Sequence, residues 1–488
     1  MDVGEYRAEA EAFLSALDRE YYLHFSGRKD EFEIEAIYAR HARLFTREAV
    51  DALRGGDSRE LLKFAAEGYV EQAVKELSAE FARLEASLEV ALQGDPSGDT
   101  LRGDGETYPY RQAAVVQANE PDPVRRRALE DARNELVATR LNPLLREMLD
   151  RSRQLVQELG WPDVRTMTQE LSGIDLGALA QQTEAFLAAT EETYEATVEP
   201  PLRAQLDLGF DDLARADLAA FFRAPSLDGL FPAERLLPTF EETLAGLGLE
   251  SGADGNVILD AEPRPKKSPR AFCAPVRVPE EVYLVLTRVG GREDYETLLH
   301  EAGHAEHFSH VDPALPVEHR YLGDNSVTEG FAFLFQHLSE EPAWLERRLG
   351  VHDPGPIVAH ARASKLVYLR RYCAKLAYEL ELQSDTPPDG LDELYARRLS
   401  DAVHVDWPQA TWLSDVDPFF YCAAYLRAWA LETHLRRELR DRFGELWFED
   451  PGAGELLREL WSAGQREPAH ELLRRLTGAE LDFSALLD

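Results

Sequence analysis

The feature that most limits the fold is a helical period running through nearly all of the chain, with one short stretch of strand character. Residues 5–90 carry Ala, Leu and Phe at three- and four-residue spacing between Glu and Arg, as in Glu71-Gln72-Ala73-Val74-Lys75-Glu76-Leu77. Such spacing puts the apolar side chains on one helix face. A Gly/Asp/Pro-rich break covers roughly residues 94–108, and Asp122-Pro123 opens another long helical stretch. Pro200-Pro201 marks an expected boundary. Ser251-Gly252-Ala253-Asp254-Gly255-Asn256 forms a further break. The good strand signals follow it, at Ala271–Val278 and Glu281–Leu286, where β-branched and aromatic residues gather. After Gly290-Gly291 the chain reads as helix again, interrupted near residues 353–356 and 386–390. The expectation is a mostly α protein with a small β element just before residue 300.

Charge narrows the partners. Ninety acidic against 53 basic side chains give a net charge of −37 over 488 residues. So negative a chain is poorly suited to a nucleic-acid backbone or an anionic membrane, and weakly favours cationic substrates. Cys273, Cys373 and Cys422 are far apart, without a CxxC, which fits buried thiols in a reducing compartment rather than a disulfide framework. The acidic start, Met1-Asp2-Val3-Gly4-Glu5, lacks the basic and apolar regions of a signal peptide, and no apolar run has membrane-spanning length. These features together lead to the expectation of a cytoplasmic protein.

The chemistry concentrates in Asp294-Tyr295-Glu296-Thr297-Leu298-Leu299-His300-Glu301-Ala302-Gly303-His304. It contains HExxH on an expected helix. Histidines four apart face the same side and reach one metal ion, and the Glu beside the first is placed as general base toward metal-activated water. Chance would produce HExxH in about 4 of 100 chains of this composition, so the motif needs a third ligand to carry weight. A metzincin would use His310, but it needs Gly where His307 stands and a downstream Met-turn, and no Met follows Met167. Thermolysin-like spacing falls on Gly323 and Asp324. Glu329, 25 residues after His304, is the other candidate. Ser326-Val327-Thr328-Glu329 also reads as a capping box, with Ser326 at N-cap, so local sequence leaves Glu329 between two roles.

His300-Glu301-Ala302-Gly303-His304-Ala305-Glu306-His307 resembles the HExGHAxH helix of the thimet oligopeptidase and oligoendopeptidase F family. Lys267-Ser268-Pro269-Arg270-Ala271-Phe272-Cys273 is similar to that family's K-x-x-G-A-F/Y-C segment, with Arg270 replacing Gly. The likeness covers about residues 264–338. It implies a zincin-like, neurolysin-like, two-lobed helical body with a small β-sheet beside the active-site helix and a deep substrate channel. An N-terminal helical lobe would span residues 1–200 and the catalytic lobe 201–488. It implies zinc on His300, His304 and Glu329, with Glu301 as general base. Zinc over cobalt or manganese follows from donor type and from the resemblance. The substrates would be short peptides, the oligomeric state monomer or homodimer. The strand at 281–286 would be the edge along which a peptide pairs.

The resemblance also implies oxyanion-stabilising tyrosines on a C-terminal helix. The matching stretch, Pro418-Phe419-Phe420-Tyr421-Cys422-Ala423-Ala424-Tyr425, offers Tyr421 and Tyr425, with Phe419 where the family carries His. His404 is a candidate replacement, against an ordinary structural role. His307 reads either as a neighbour of the ligands or as a core residue, and His310 and His319 read as surface. Asp324 is either a ligand-orienting or a capping residue, and Arg427 either a substrate clamp or a salt-bridge partner. Two other functions remain in view. One is a metallocarboxypeptidase of the same fold, although the H-W-S-x-G-x-F-G-Y segment of such enzymes is absent. The other is a non-catalytic peptide-binding relative, suggested by Phe419.

Overall fold

A computed structural model describes residues 2–92, 106–250 and 255–487. These residues are mostly helical, with two small sheets. Among them no helix is long and apolar enough to cross a membrane. Most of the 94–108 break and the start of the 251–256 break lie outside the described residues.

The chain divides into two compact units, each assembled from separated segments. The first contains residues 1–68, 227–358 and 424–488; the second contains 69–226 and 359–423. The expected division at residue 200 does not coincide with this. Pro200 and Pro201 lie inside the helix Tyr194–Leu206, and the chain leaves that helix only at Asp207, in the left-handed region.

Helix starts follow local chemistry. Asp122 accepts a hydrogen bond from the Val124 N–H, and Pro123 takes the first helical position of Pro123–Leu136, as the Asp-Pro pair foretells. Asp163 and Asp175 cap Val164–Ser172 and Leu176–Thr190 in the same way. The second unit closes around Tyr194, Phe221, Tyr378, Tyr395, Trp407 and Trp412. It also holds a two-stranded antiparallel sheet, β1 (Glu89–Ala91) with β2 (Thr107–Pro109), which the sequence reading did not anticipate.

In the first unit, β3 (Val257–Asp260), β4 (Phe272–Arg277) and β5 (Glu281–Val285) form one sheet in the order β3-β5-β4. β5 pairs parallel with β3 and antiparallel with β4. The strand expected as the free edge, 281–286, is therefore the central one. Both rows of its backbone groups are already used, so it cannot accept an added strand. The free edge beside the motif helix belongs to β4, whose Pro275 suits an edge because it has no N–H to leave unpaired.

One face of the sheet packs on α1 (Val3–Phe25), with Tyr22 stacked on Tyr283 at 3.7 Å and buried beside Ala274, Val276 and Val285. The helix Arg292–Ser309, which carries HExxH, packs against β4, β5 and the helix Asn325–Gln336.

Candidate metal centre

The motif helix is started by its own sequence. Gly290 and Gly291 both have φ near +90°, a conformation that favours glycine. The turn they make lets Asp294 accept the N–H groups of Val289 and Gly290 at 2.8 and 2.7 Å. Tyr295, Leu298, Leu299, Ala302 and Ala305 then bury the apolar stripe, each large side chain contributing about 1.5–3 kcal/mol.

Gly303 sets the spacing to the next helix. A Cβ there would stand 2.6 Å from the Ala332 Cα and the Phe331 carbonyl oxygen. Gly330, on the facing helix, makes room for a different neighbour, since a Cβ there would meet Leu431 at 2.8 Å. The close approach brings Glu329 onto the two histidines. His300 Nε2 and His304 Nε2 lie 3.6 and 3.7 Å from Glu329 Oε2. Metal–ligand bonds of about 2.0–2.2 Å in a tetrahedron place neighbouring donors roughly 3.3–3.6 Å apart. The two observed separations stand at and just above the upper end of that range, close enough for these atoms to share an ion.

The ring orientations agree. With Nε2 turned inward, His300 donates from Nδ1 to Gln336 Oε1 at 2.9 Å, and His304 Nδ1 donates to Thr328 Oγ1 at 2.8 Å. These bonds hold each ring in the tautomer whose Nε2 lone pair is available. Burial pushes the His300 imidazolium down to about 4 and that of His304 well below its ordinary value, so both rings are neutral near pH 7. The side chains retain 19, 14 and 7% exposure for His300, His304 and Glu329, which leaves a path for a small group.

Glu301 is held beside them. Its Oε2 accepts the Cys273 N–H at 2.8 Å, so the edge of β4 positions this carboxyl directly. Burial pushes the Glu301 carboxyl up to about 8; the Cys273 N–H opposes this and Glu329 adds to it. The segment around Lys267 has a structural role in the same arrangement. Lys267 Nζ donates to the Asp260 carbonyl and carboxylate and to the Glu262 carbonyl, tying the approach to β4 onto β3.

Glu329 does not form the capping box that local sequence left open for it. The helix begins at Asn325 and is capped by Asp324, whose carboxylate accepts the Ser326 N–H at 2.9 Å. Ser326 is buried and its Oγ accepts from Arg427 Nη1. Arg427 pairs with Asp324 at 2.7 Å, and the Ala469 N–H donates to the same carboxylate at 3.0 Å. Asp324 thus caps, and Arg427 forms a buried salt bridge.

The tyrosines stand on the helix Tyr421–Phe443. Tyr425 approaches Phe333, which in turn packs against His300, with ring centroids 6.1 and 5.4 Å apart. Tyr421, one turn earlier, belongs to the second unit. Phe419, at the position of the expected His, has φ 48° in a short turn before the helix. His404 is engaged elsewhere, between Glu195 and Glu191 at 2.7 and 3.0 Å. His307 is fully buried and packs on Phe331. The His310 side chain, expected at the surface, is only 7% exposed, because it turns back onto the Glu306 carbonyl and Trp461.

Sequence reasoning missed Gln336, Thr328 and the Cys273 amide. Thr328 adjoins Glu329, and Gln336 follows it by seven residues on the same face, a spacing that would have found it. The chain matches no family model and no curated protein.

Proposed function

We propose that this chain is a zinc-dependent metallopeptidase that hydrolyses short peptides internally, with a zincin-like catalytic unit. The observation that carries the proposal is the convergence of His300, His304 and Glu329, each histidine Nε2 within 3.7 Å of Glu329 Oε2, with Glu301 anchored beside them. Two neutral imidazoles and one carboxylate form a donor set suited to zinc and leave a coordination position open. A zinc ion held there would polarise a peptide carbonyl and acidify water.

Glu301 accepts the proton of the attacking water and delivers it to the leaving amine. The Cys273 N–H fixes the carboxyl for both transfers. Tyr425, reached through Phe333, supplies the hydroxyl best supported as donor to the developing oxyanion. Gln336 and Thr328 keep the ligand rings from rotating. The free edge of β4, not β5, is the strand along which substrate backbone would pair.

Digestion of a defined peptide mixture, read by mass spectrometry, tests this with Glu301→Gln alongside. Internal cuts that vanish in the variant are expected. Removal of single C-terminal residues would make the enzyme a carboxypeptidase. Absence of any cleavage by zinc-loaded protein would leave a peptide-binding relative.

A further inference from the structure

The face of α1 turned to the site region is a ladder of matched polar contacts with one exception. Arg7, Glu11, Asp18 and Tyr22 are spaced by four, seven and four residues and so share one side of the helix. Arg7 pairs with Glu318, Glu11 with Arg320 at 2.8 Å, and Tyr22 donates to Asp260 at 3.2 Å. Neighbouring Arg19 pairs with Glu281 at 2.7 Å. Asp18 alone on this face has no hydrogen bond or ion pair among the described residues.

Its surroundings make that costly. Asp18 is half-buried, and its charge acts on the Cys273 thiol and the Tyr321 hydroxyl. Cys273 lies on β4, and Tyr321 bonds the chain just beyond the strand's end. The Cys273 N–H reaches outward to Glu301, and the Val278 N–H reaches outward to Tyr321 Oη at 2.7 Å. Among the described residues no basic side chain acts on Asp18, and burial pushes its carboxyl up to about 7. A desolvated carboxylate beside a strand edge that has no neighbouring strand gains most from a cation brought by a ligand. The net charge of −37 draws cationic peptides toward such a place.

We infer that Asp18 is a specificity-determining residue that receives a positively charged group of a peptide paired along the free edge of β4. The inference rests on the peptidase reading for its ligand class. Arginine or lysine side chains and a free amino terminus share the required chemistry.

The test is fluorescence anisotropy with the full chain carrying Glu301→Gln, alone and combined with Asp18→Asn. The probes are one labelled peptide containing Arg, its citrulline counterpart, and both with acetylated amino termini. The Glu301→Gln protein is expected to bind the cationic forms about 10-fold more tightly than the neutral ones. Asp18→Asn should abolish that preference and leave affinity for the fully neutral peptide and the thermal midpoint unchanged. Loss of preference on the citrulline change assigns a side chain; loss on acetylation assigns the terminus. A preference that survives Asp18→Asn, equal weakening of every peptide, or no binding at millimolar concentration overturns the inference. Wild-type protein that cleaves none of these peptides, while Asp18→Asn still abolishes the preference, would remove the peptidase reading and keep the cation site.

Discussion

His300, His304 and Glu329 in the first unit and Glu379, Asp417 and Cys422 in the second each bring three donor atoms within 4.8 Å of one another. By distance alone both could hold a metal ion. They differ in what already neutralises them. In the second group Lys375 Nζ stands 2.9 Å from Asp417 and 3.8 Å from both Glu379 and Asp415. Burial disfavours that ammonium, but the three carboxylates outweigh it and keep it charged. The Cys422 thiol donates a hydrogen bond to Glu379 at 3.1 Å, and burial pushes the thiol well above its usual range. The protein thus provides its own cation there, and the sulfur is not a thiolate. In the first group the rings are neutral and their inner nitrogens face the carboxylate. Ligand spacing is necessary, and the charge already in place decides what fills it.

Four substitutions or titrations sharpen that contrast. The largest effect is expected from Glu301→Gln, which should lower kcat/KM on a cleaved peptide by about 10²–10⁴-fold. Zinc content should stay at the wild-type level, as measured by metal analysis of the same sample. Lys375→Met removes the internal cation from three carboxylates. It should cost about 3–5 kcal/mol of stability in urea unfolding, with the first cluster's metal content intact in the folded fraction. Gln336→Ala frees the His300 ring, and zinc affinity measured against a competing chelator should fall about 10–100-fold.

The smallest effect is expected from acid. Burial raises the Asp260 carboxyl, but hydrogen bonds from Arg264, Lys267 and Arg28 outweigh it and hold the group at about 2. The folded value lies below the unfolded one, so this stability is complete above roughly pH 4 and is lost as pH falls toward 2. Unfolding midpoints of wild type and Asp260→Asn should converge over that window. Parallel curves would show that Asp260 carries no such linkage.

Much of this comparison was legible in one sequence and some was not. His300 and His304 stand four positions apart on one helix and Glu301 adjoins the first, so period alone places them together. β4 and β5 were legible because their residues are β-branched or aromatic between clear turns. The order of the strands was not, since Val257–Asp260 pairs with β5 across a long intervening segment and makes it central. Glu329 was ambiguous because Ser-x-x-Glu is a capping pattern; the buried pair of Asp324 with Arg427, about 100 residues later, decides where that helix starts. The second cluster was invisible for the same reason: Lys375 and Asp417 meet only in the folded unit.

Metal stoichiometry tests the central claim most directly. Apo protein would be dialysed against a slight excess of zinc and the bound metal measured for wild type, Glu329→Ala and Glu379→Gln. One zinc per chain is expected in wild type and Glu379→Gln, and little or none in Glu329→Ala. Zinc retained in full by Glu329→Ala but lost in Glu379→Gln would contradict the assignment and place the metal in the second unit.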